Sequence, residues 1–161
     1  RPLSKSSSEA SGFKTMLLGT MEELARKILM DGEGVTKVIE IKVQKAKSRQ
    51  EAETISRSIA DSPLVKTSFY GEEVNWGRII AAAGKTRFPI SFEKVDLFIN
   101  KVPLVRKGII LGSRNEQQTQ RELTKKNFTI TLTLHQGNQE ASILATDLSP
   151  DYVKINAGYK T

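Results

Sequence analysis

Asp31-Gly32-Glu33-Gly34-Val35-Thr36-Lys37 separates two kinds of hydrophobic periodicity, and its reading decides the fold. Before it, Phe13, Met16, Leu17, Met21, Leu24, Ile28 and Leu29 recur at helical spacing, which predicts an amphipathic helix over about 13–30. After it, Ile39, Ile41 and Val43 alternate with Glu40 and Lys42, the period-two pattern of a half-buried strand. The run is therefore a helix-to-strand turn, a position where sites are often built on a rigid scaffold. Two readings of it compete. Glycine adopts backbone angles closed to other residues and admits a ligand close to the main chain, so Glu33 can stand bare at the loop apex. Alternatively, the run is a helix C-cap carrying solvated acids, and local pattern alone favours that reading.

Working outward, residues 1–12 are Ser-rich and poor in apolar residues, which predicts a mobile lead-in to a single domain over 13–161. Ala52, Ile55 and Ile59 mark a second helix over about 48–60. Ser62-Pro63 reads as an N-cap followed by proline in the first turn, opening a short helix that ends at Gly71. Asn75 caps the next helix, which carries Ile79, Ile80 and three alanines to Gly84. Val95, Leu97 and Ile99 form a strand, with another near 102–110, and 114–126 is polar and helical. Thr129-Ile130-Thr131-Leu132-Thr133-Leu134 is the cleanest alternation, and Gln136-Gly137-Asn138-Gln139 is expected to turn it into a hairpin with a strand over 140–147. A last strand is expected near 151–156. The class is α/β in the loose sense, helices packed on a mixed, largely antiparallel sheet.

Composition narrows the function. The 161 residues suit one domain that buries most of its own core. No stretch of 18 apolar residues occurs, so no membrane span is expected. The absence of cysteine excludes disulfides, thiolate catalysis and cysteine-ligated zinc. The net charge of +7 raises nucleic-acid binding, but Lys and Arg are scattered among acids, as in Glu40/Lys42 and Arg121-Glu122. Aromatic residues do not interleave with them as a stacking platform requires, so nucleic acid is not expected as a partner.

Several chemical motifs fail on inspection. Gly84-Lys85-Thr86 resembles the end of a phosphate loop, but that motif needs glycine where Ile79 stands, and a strand before it. His135, the only histidine, reads as a solvated strand-end residue on the face of Thr131 and Thr133. Asp31 and Glu33 are too few for calcium, and no metal or other cofactor is expected. Asn75-Trp76-Gly77-Arg78 reads as helix capping with a buried indole near a chain–chain contact, and Pro63 to Thr67 as packing.

The run at 31–37, Ser62-Pro63-Leu64-Val65-Lys66-Thr67, Asn75-Trp76-Gly77-Arg78-Ile79, and Asp151-Tyr152-Val153-Lys154-Ile155-Asn156-Ala157-Gly158-Tyr159-Lys160-Thr161 occur in that order. Together they resemble the C-terminal part of the ornithine acetyltransferase (glutamate N-acetyltransferase) family, from about Phe13 to the last residue. The resemblance implies a precursor that cuts itself before a threonine, giving an alpha and a beta chain that stay together in an (alpha-beta)2 assembly. It implies an N-terminal threonine nucleophile that takes acetyl from N-acetylornithine and passes it to glutamate in arginine biosynthesis, with acetyl-CoA as an alternative donor in some members. It implies a cytoplasmic location in a bacterium, or a mitochondrial matrix in a eukaryote. Substrate-binding positions map onto Glu33, Asn156 and Thr161.

The chain departs from the family in lacking the nucleophile segment. Thr15-Met16-Leu17 superficially matches it, yet Phe13, Leu17, Leu24 and Ala25 fall where the family has an apolar helix, so Thr15 is an ordinary helix residue. No catalytic residue is therefore expected here. The chain reads as the tail of a longer one, inactive alone and dependent on the alpha chain and the upstream beta segment. Glu33 suits a substrate ammonium, and the Asn156 amide and Thr161 hydroxyl suit polar or acidic ends. Which group meets which end stays open at this level. So do the bland readings of Asn156 as a turn residue and Thr161 as a frayed tail. Alternatives are a related N-terminal-nucleophile aminopeptidase, a basic RNA-binding module, or a relic that lost its nucleophile. The family reading requires the glycine-flanked apex and the carboxy-terminal tail to meet at one pocket.

Overall fold

The computed structural model describes residues 8–158. Its elements in chain order are α1 (Ser8–Met30), β1 (Val38–Ala46), α2 (Arg49–Ala60), α3 (Pro63–Tyr70), α4 (Trp76–Gly84), β2 (Asp96–Ile99), β3 (Val102–Arg106), β4 (Ile109–Ile110), α5 (Ser113–Leu123), β5 (Asn127–Thr133), β6 (Gln139–Thr146) and α6 (Pro150–Ala157). One six-stranded sheet runs β4-β3-β2-β5-β1-β6. The β1–β5 pair is parallel and the other four are antiparallel, so the sheet is mixed and largely antiparallel as expected.

The alternation in β1 sorts its side chains. Val38, Ile39, Ile41 and Val43 are buried, while Glu40, Lys42 and Gln44 are half-exposed. On the buried side Ile39, Ile41, Leu97, Ile130 and Leu132 meet Ala52, Ile55 and Ile59 of α2, Val65 and Phe69 of α3, and Ile79, Ala82 and Ala83 of α4 in one core. Phe69 and Phe128 pack edge to face at 5.6 Å. Helix signals hold for α2, where the Ser48 side chain accepts the Glu51 N–H, and for α4, where Asn75 accepts the Arg78 N–H. Trp76 packs half-buried against this core.

Four expectations are corrected. The lead-in over 1–12 is not one segment, because Ser8 to Gly12 already belong to α1; residues 1–7 lie outside the described residues. The strand expected near 102–110 reverses at Lys107 (φ 47°) and Gly108 (φ 72°), giving β3 and β4. The hairpin expected between β5 and β6 does not form, since β1 lies between them. Their connection instead rides over the end of β1: the Gln136 and Gly137 N–H groups both donate to Lys45 O. A side chain on Gly137 would stand 2.3 Å from Ala46 O, so only glycine passes here. Finally, the strand expected at 151–156 is α6, opened by Ser149 and by Pro150 in its first turn, a start signal like that of α3.

α1 is amphipathic as predicted, yet although Leu29 near its C-terminal end is half-buried, most of its apolar side is uncovered among the described residues. Met16 and Ile28 are each 73% exposed, and Phe13, Leu17, Met21 and Leu24 are exposed as well. No described helix is long and apolar enough to cross a membrane.

Candidate functional site

The turn from α1 to β1 is closed by backbone bonds from Asp31 N to Lys27 O, Gly32 N to Leu29 O and Val35 N to Gly32 O. Gly34 takes a left-handed φ of 68°. A side chain there would lie 2.6 Å from the Tyr152 backbone nitrogen and 2.8 Å from Ser149 Oγ. Glycine is therefore required twice over, for its angle and for the close approach of α6. The C-cap and apex readings of this run are both partly right: the glycines end the helix, and Glu33 stands exposed beyond it.

Glu33 lines a cavity of about 430 Å³ together with Ile28, Asp61, Lys66, Asp147 and Tyr152. Asn156, from α6, donates its amide to Glu33 Oε2 at 2.9 Å and to Tyr152 O at 2.9 Å. The structure thus joins two of the three residues singled out from sequence. The third, Thr161, lies outside the described residues.

The end of the motif is pinned from the far side. Asp147, 2% exposed, accepts N–H bonds from Thr36 (2.9 Å) and Lys37 (3.0 Å), and the Thr36 hydroxyl. Ser149 Oγ donates to Gly34 O at 2.6 Å. Lys37 is buried, its ammonium bonded to Glu72 Oε1 at 2.6 Å and Leu123 O at 2.7 Å, so the motif's cation closes the C-terminal end of α5 instead of facing the cavity. Asp147, Ser149 and Asp61 are not singled out by the sequence reading, and Lys66, expected within the 63–67 packing segment, also lines the cavity. Ser149-Pro150 carried a usable helix-start signal, but nothing local marks Asp147 as a partner of Thr36.

Two other places are occupied by their own contacts. A more open hollow of about 560 Å³ lies beside Asn100, Glu122, Lys125 and Thr129. There Asn100 donates to Glu122 and accepts the Thr129 N–H, and Lys125 bonds Glu122. His135 is exposed as expected but engaged, its Nε2 3.0 Å from Asp96 Oδ2. Asp96 also accepts Arg106 Nη1 and the Lys107 N–H, each at 2.9 Å. Burial raises the pKa of Asp96, but the bonds from Lys107, His135 and Arg106 outweigh it, and the carboxyl sits below its ordinary value.

The family model described as the ArgJ family matches residues 2–161. The arginine biosynthesis bifunctional protein ArgJ of Geobacter sulfurreducens is 41% identical over 159 residues, and that of Staphylococcus epidermidis 43% over 160. In both cases the match covers 99% of this chain and 40% of the relative, so the chain spans about two-fifths of these curated proteins. A crystal structure of the ArgJ protein from Bacillus halodurans superposes with a TM-score of 0.91 at 36% identity, covering 99% of this chain and 75% of that one. On these grounds the chain is a member of the ArgJ family.

Proposed function

We propose that this chain forms the substrate-binding part of a glutamate N-acetyltransferase that moves acetyl from N-acetylornithine to glutamate in arginine biosynthesis. The observation that carries the reading is the 2.9 Å bond between Asn156 and Glu33 at the cavity that Glu33 lines. It sets a carboxylate and an amide side by side, complementary to the ammonium and the polar ends of an amino acid. The family resemblance assigns Thr161 to the same site as a third polar group. The names of the relatives support the pathway.

The reaction runs in two acyl transfers. An N-terminal threonine hydroxyl, contributed from outside this chain and relieved of its proton by its own α-amine, attacks the acetyl carbonyl, and ornithine leaves. The amine of glutamate then attacks the acetyl ester and releases the threonine. Oxyanion donors also lie outside the chain. This chain recognises the amino-acid part of each substrate and is inactive alone. It needs no resident cofactor; acetyl-CoA serves at most as a second acetyl donor. Its partners are an alpha chain and the upstream beta segment in an (alpha-beta)2 assembly in the bacterial cytoplasm. The bare apolar side of α1 is the surface they cover.

The complete enzyme carrying this chain, given labelled N-acetylornithine and glutamate, should yield labelled N-acetylglutamate. Release of free labelled acetate alone, with glutamate ignored as acceptor, would identify an aminopeptidase and refute the proposal.

A further inference from the structure

We propose that Asp147 and Ser149 are positioning residues that aim the Glu33 carboxylate into its cavity; the inference rests on Glu33 being a substrate contact. Ser149 occupies the N-cap position of α6 with extended backbone (φ −93°, ψ 162°), yet its side chain makes no bond to its own helix. A serine there ordinarily accepts an N–H of the first turn, a bond worth about 1 kcal/mol. Here the hydroxyl is diverted to Gly34 O, 115 residues earlier. Helix capping has been given up for a contact to the residue next to Glu33.

Asp147 makes the same connection one step further along. Both its carboxylate oxygens already carry donors from Thr36 and Lys37, so Asp147 lines the cavity as a group engaged with the loop. Its own N–H donates back to Lys37 O at 3.3 Å. Residues 34, 36 and 37 are thereby tied to 147 and 149, and the Glu33 side chain itself is bonded from Asn156 in the same segment. The ties on the Gly34 carbonyl, the Thr36 backbone and the Glu33 side chain come from 147–156, while the Lys37 ammonium is held by Glu72 and Leu123. Gly34 would otherwise be the freest joint in the loop. A reacting group displaced by as little as an ångström loses much of its effect, so the tether matters to chemistry as well as to folding.

The test is a double-mutant cycle in the complete enzyme. It uses Glu33→Gln, Ser149→Ala and the two combined, with kcat/KM for N-acetylornithine and Tm as readouts. Ser149→Ala removes a single hydroxyl and tests the tether under mild perturbation; Asp147→Asn is the harsher companion. Ser149→Ala should lower kcat/KM about tenfold in the native background. With Glu33→Gln already present it should change kcat/KM by less than about twofold, while its drop in Tm persists in both backgrounds. Ser149→Thr, which retains the hydroxyl, should recover most of the loss. Equal losses of kcat/KM in both backgrounds would overturn the proposal and leave the tether a purely structural feature. If Glu33→Gln by itself leaves kcat/KM unchanged, the reading of Glu33 fails and the proposal falls with it.

Discussion

The Asn156 amide donates to the Glu33 carboxylate across 123 residues of chain, joining the glycine-flanked turn after the first helix to the last described helix at 2.9 Å. Tyr152 O shares the same amide, so Asn156 bridges its own helix to the apex. An amide nitrogen carries two protons, and both are used. The amide oxygen and the second oxygen of Glu33 have no partner among the described residues, which leaves one acceptor on each for a ligand.

Glu33→Ala in the complete enzyme is expected to lower kcat/KM for N-acetylornithine about a hundredfold, roughly 2–3 kcal/mol of lost transition-state binding. Asn156→Ala should cost less, about tenfold, since the carboxylate stays in place. Initial rates over a range of donor concentrations give both values. Unchanged kinetics for Glu33→Ala would remove it from the site.

Gly34→Ala should destabilise the fold by about 2–4 kcal/mol, because alanine at φ 68° is strained and its Cβ would collide with the Tyr152 backbone. Gly19→Ala is the control. Gly19 lies within α1 with open space around it, and helix propensity there favours alanine by up to about 1 kcal/mol. Urea unfolding of the two variants should therefore shift the midpoint in opposite directions. A neutral Gly34→Ala would contradict the geometry of the turn.

Asp96 predicts an acid-side dependence of stability. Burial raises its pKa, but the bonds from Lys107, His135 and Arg106 together lower it by more, and the net value lies below the ordinary 3.8. The folded state thus holds the proton less readily than the unfolded state. Its contribution is complete above the ordinary aspartate range and is lost as pH falls through the depressed folded value. Asp96→Asn should cost about 1–3 kcal/mol at neutral pH, where Arg106, His135 and the Lys107 N–H all lose their carboxylate partner. The gap from wild type should narrow as pH falls below the ordinary aspartate value and close once the depressed folded value is passed. Tm measured between acid and neutral pH checks this; a gap independent of pH would show that the charge is irrelevant.

Leu24→Glu with Ile28→Glu should leave the fold of this chain intact, since both side chains are already exposed on α1. The same pair should block assembly with the remaining segments of the enzyme, by placing two charges where apolar surface must be buried. Circular dichroism and size-exclusion chromatography after co-expression separate the two effects. Normal assembly of the double variant would mean that another surface is covered.

Much of the element content was readable from local chemistry. Ile39-Glu40-Ile41-Lys42-Val43 announces a strand with one buried side because the pleat alternates side chains, and Ser48, Ser62-Pro63 and Asn75 announce helix starts because they satisfy or dispense with free N–H groups. At α6 the local signals conflict: Tyr152, Val153 and Ile155 favour a strand, whereas Ser149-Pro150 is a helix start. All three side chains are exposed, so no burial pattern was present to settle the conflict.

What the amino-acid sequence alone determined was the class, the family, and Glu33, Asn156 and Thr161 as candidates, since periodicity, capping residues and motif order are properties of neighbours along the chain. What only the tertiary structure decided was the sheet order with β1 between β5 and β6, the bond from Asn156 to Glu33, and the diversion of Asp147 and Ser149 to the apex. Period two tells a strand which side is buried but never which strand lies beside it. A hydrogen bond spanning more than a hundred residues leaves no mark in either local stretch until the core has packed and brought the two ends together.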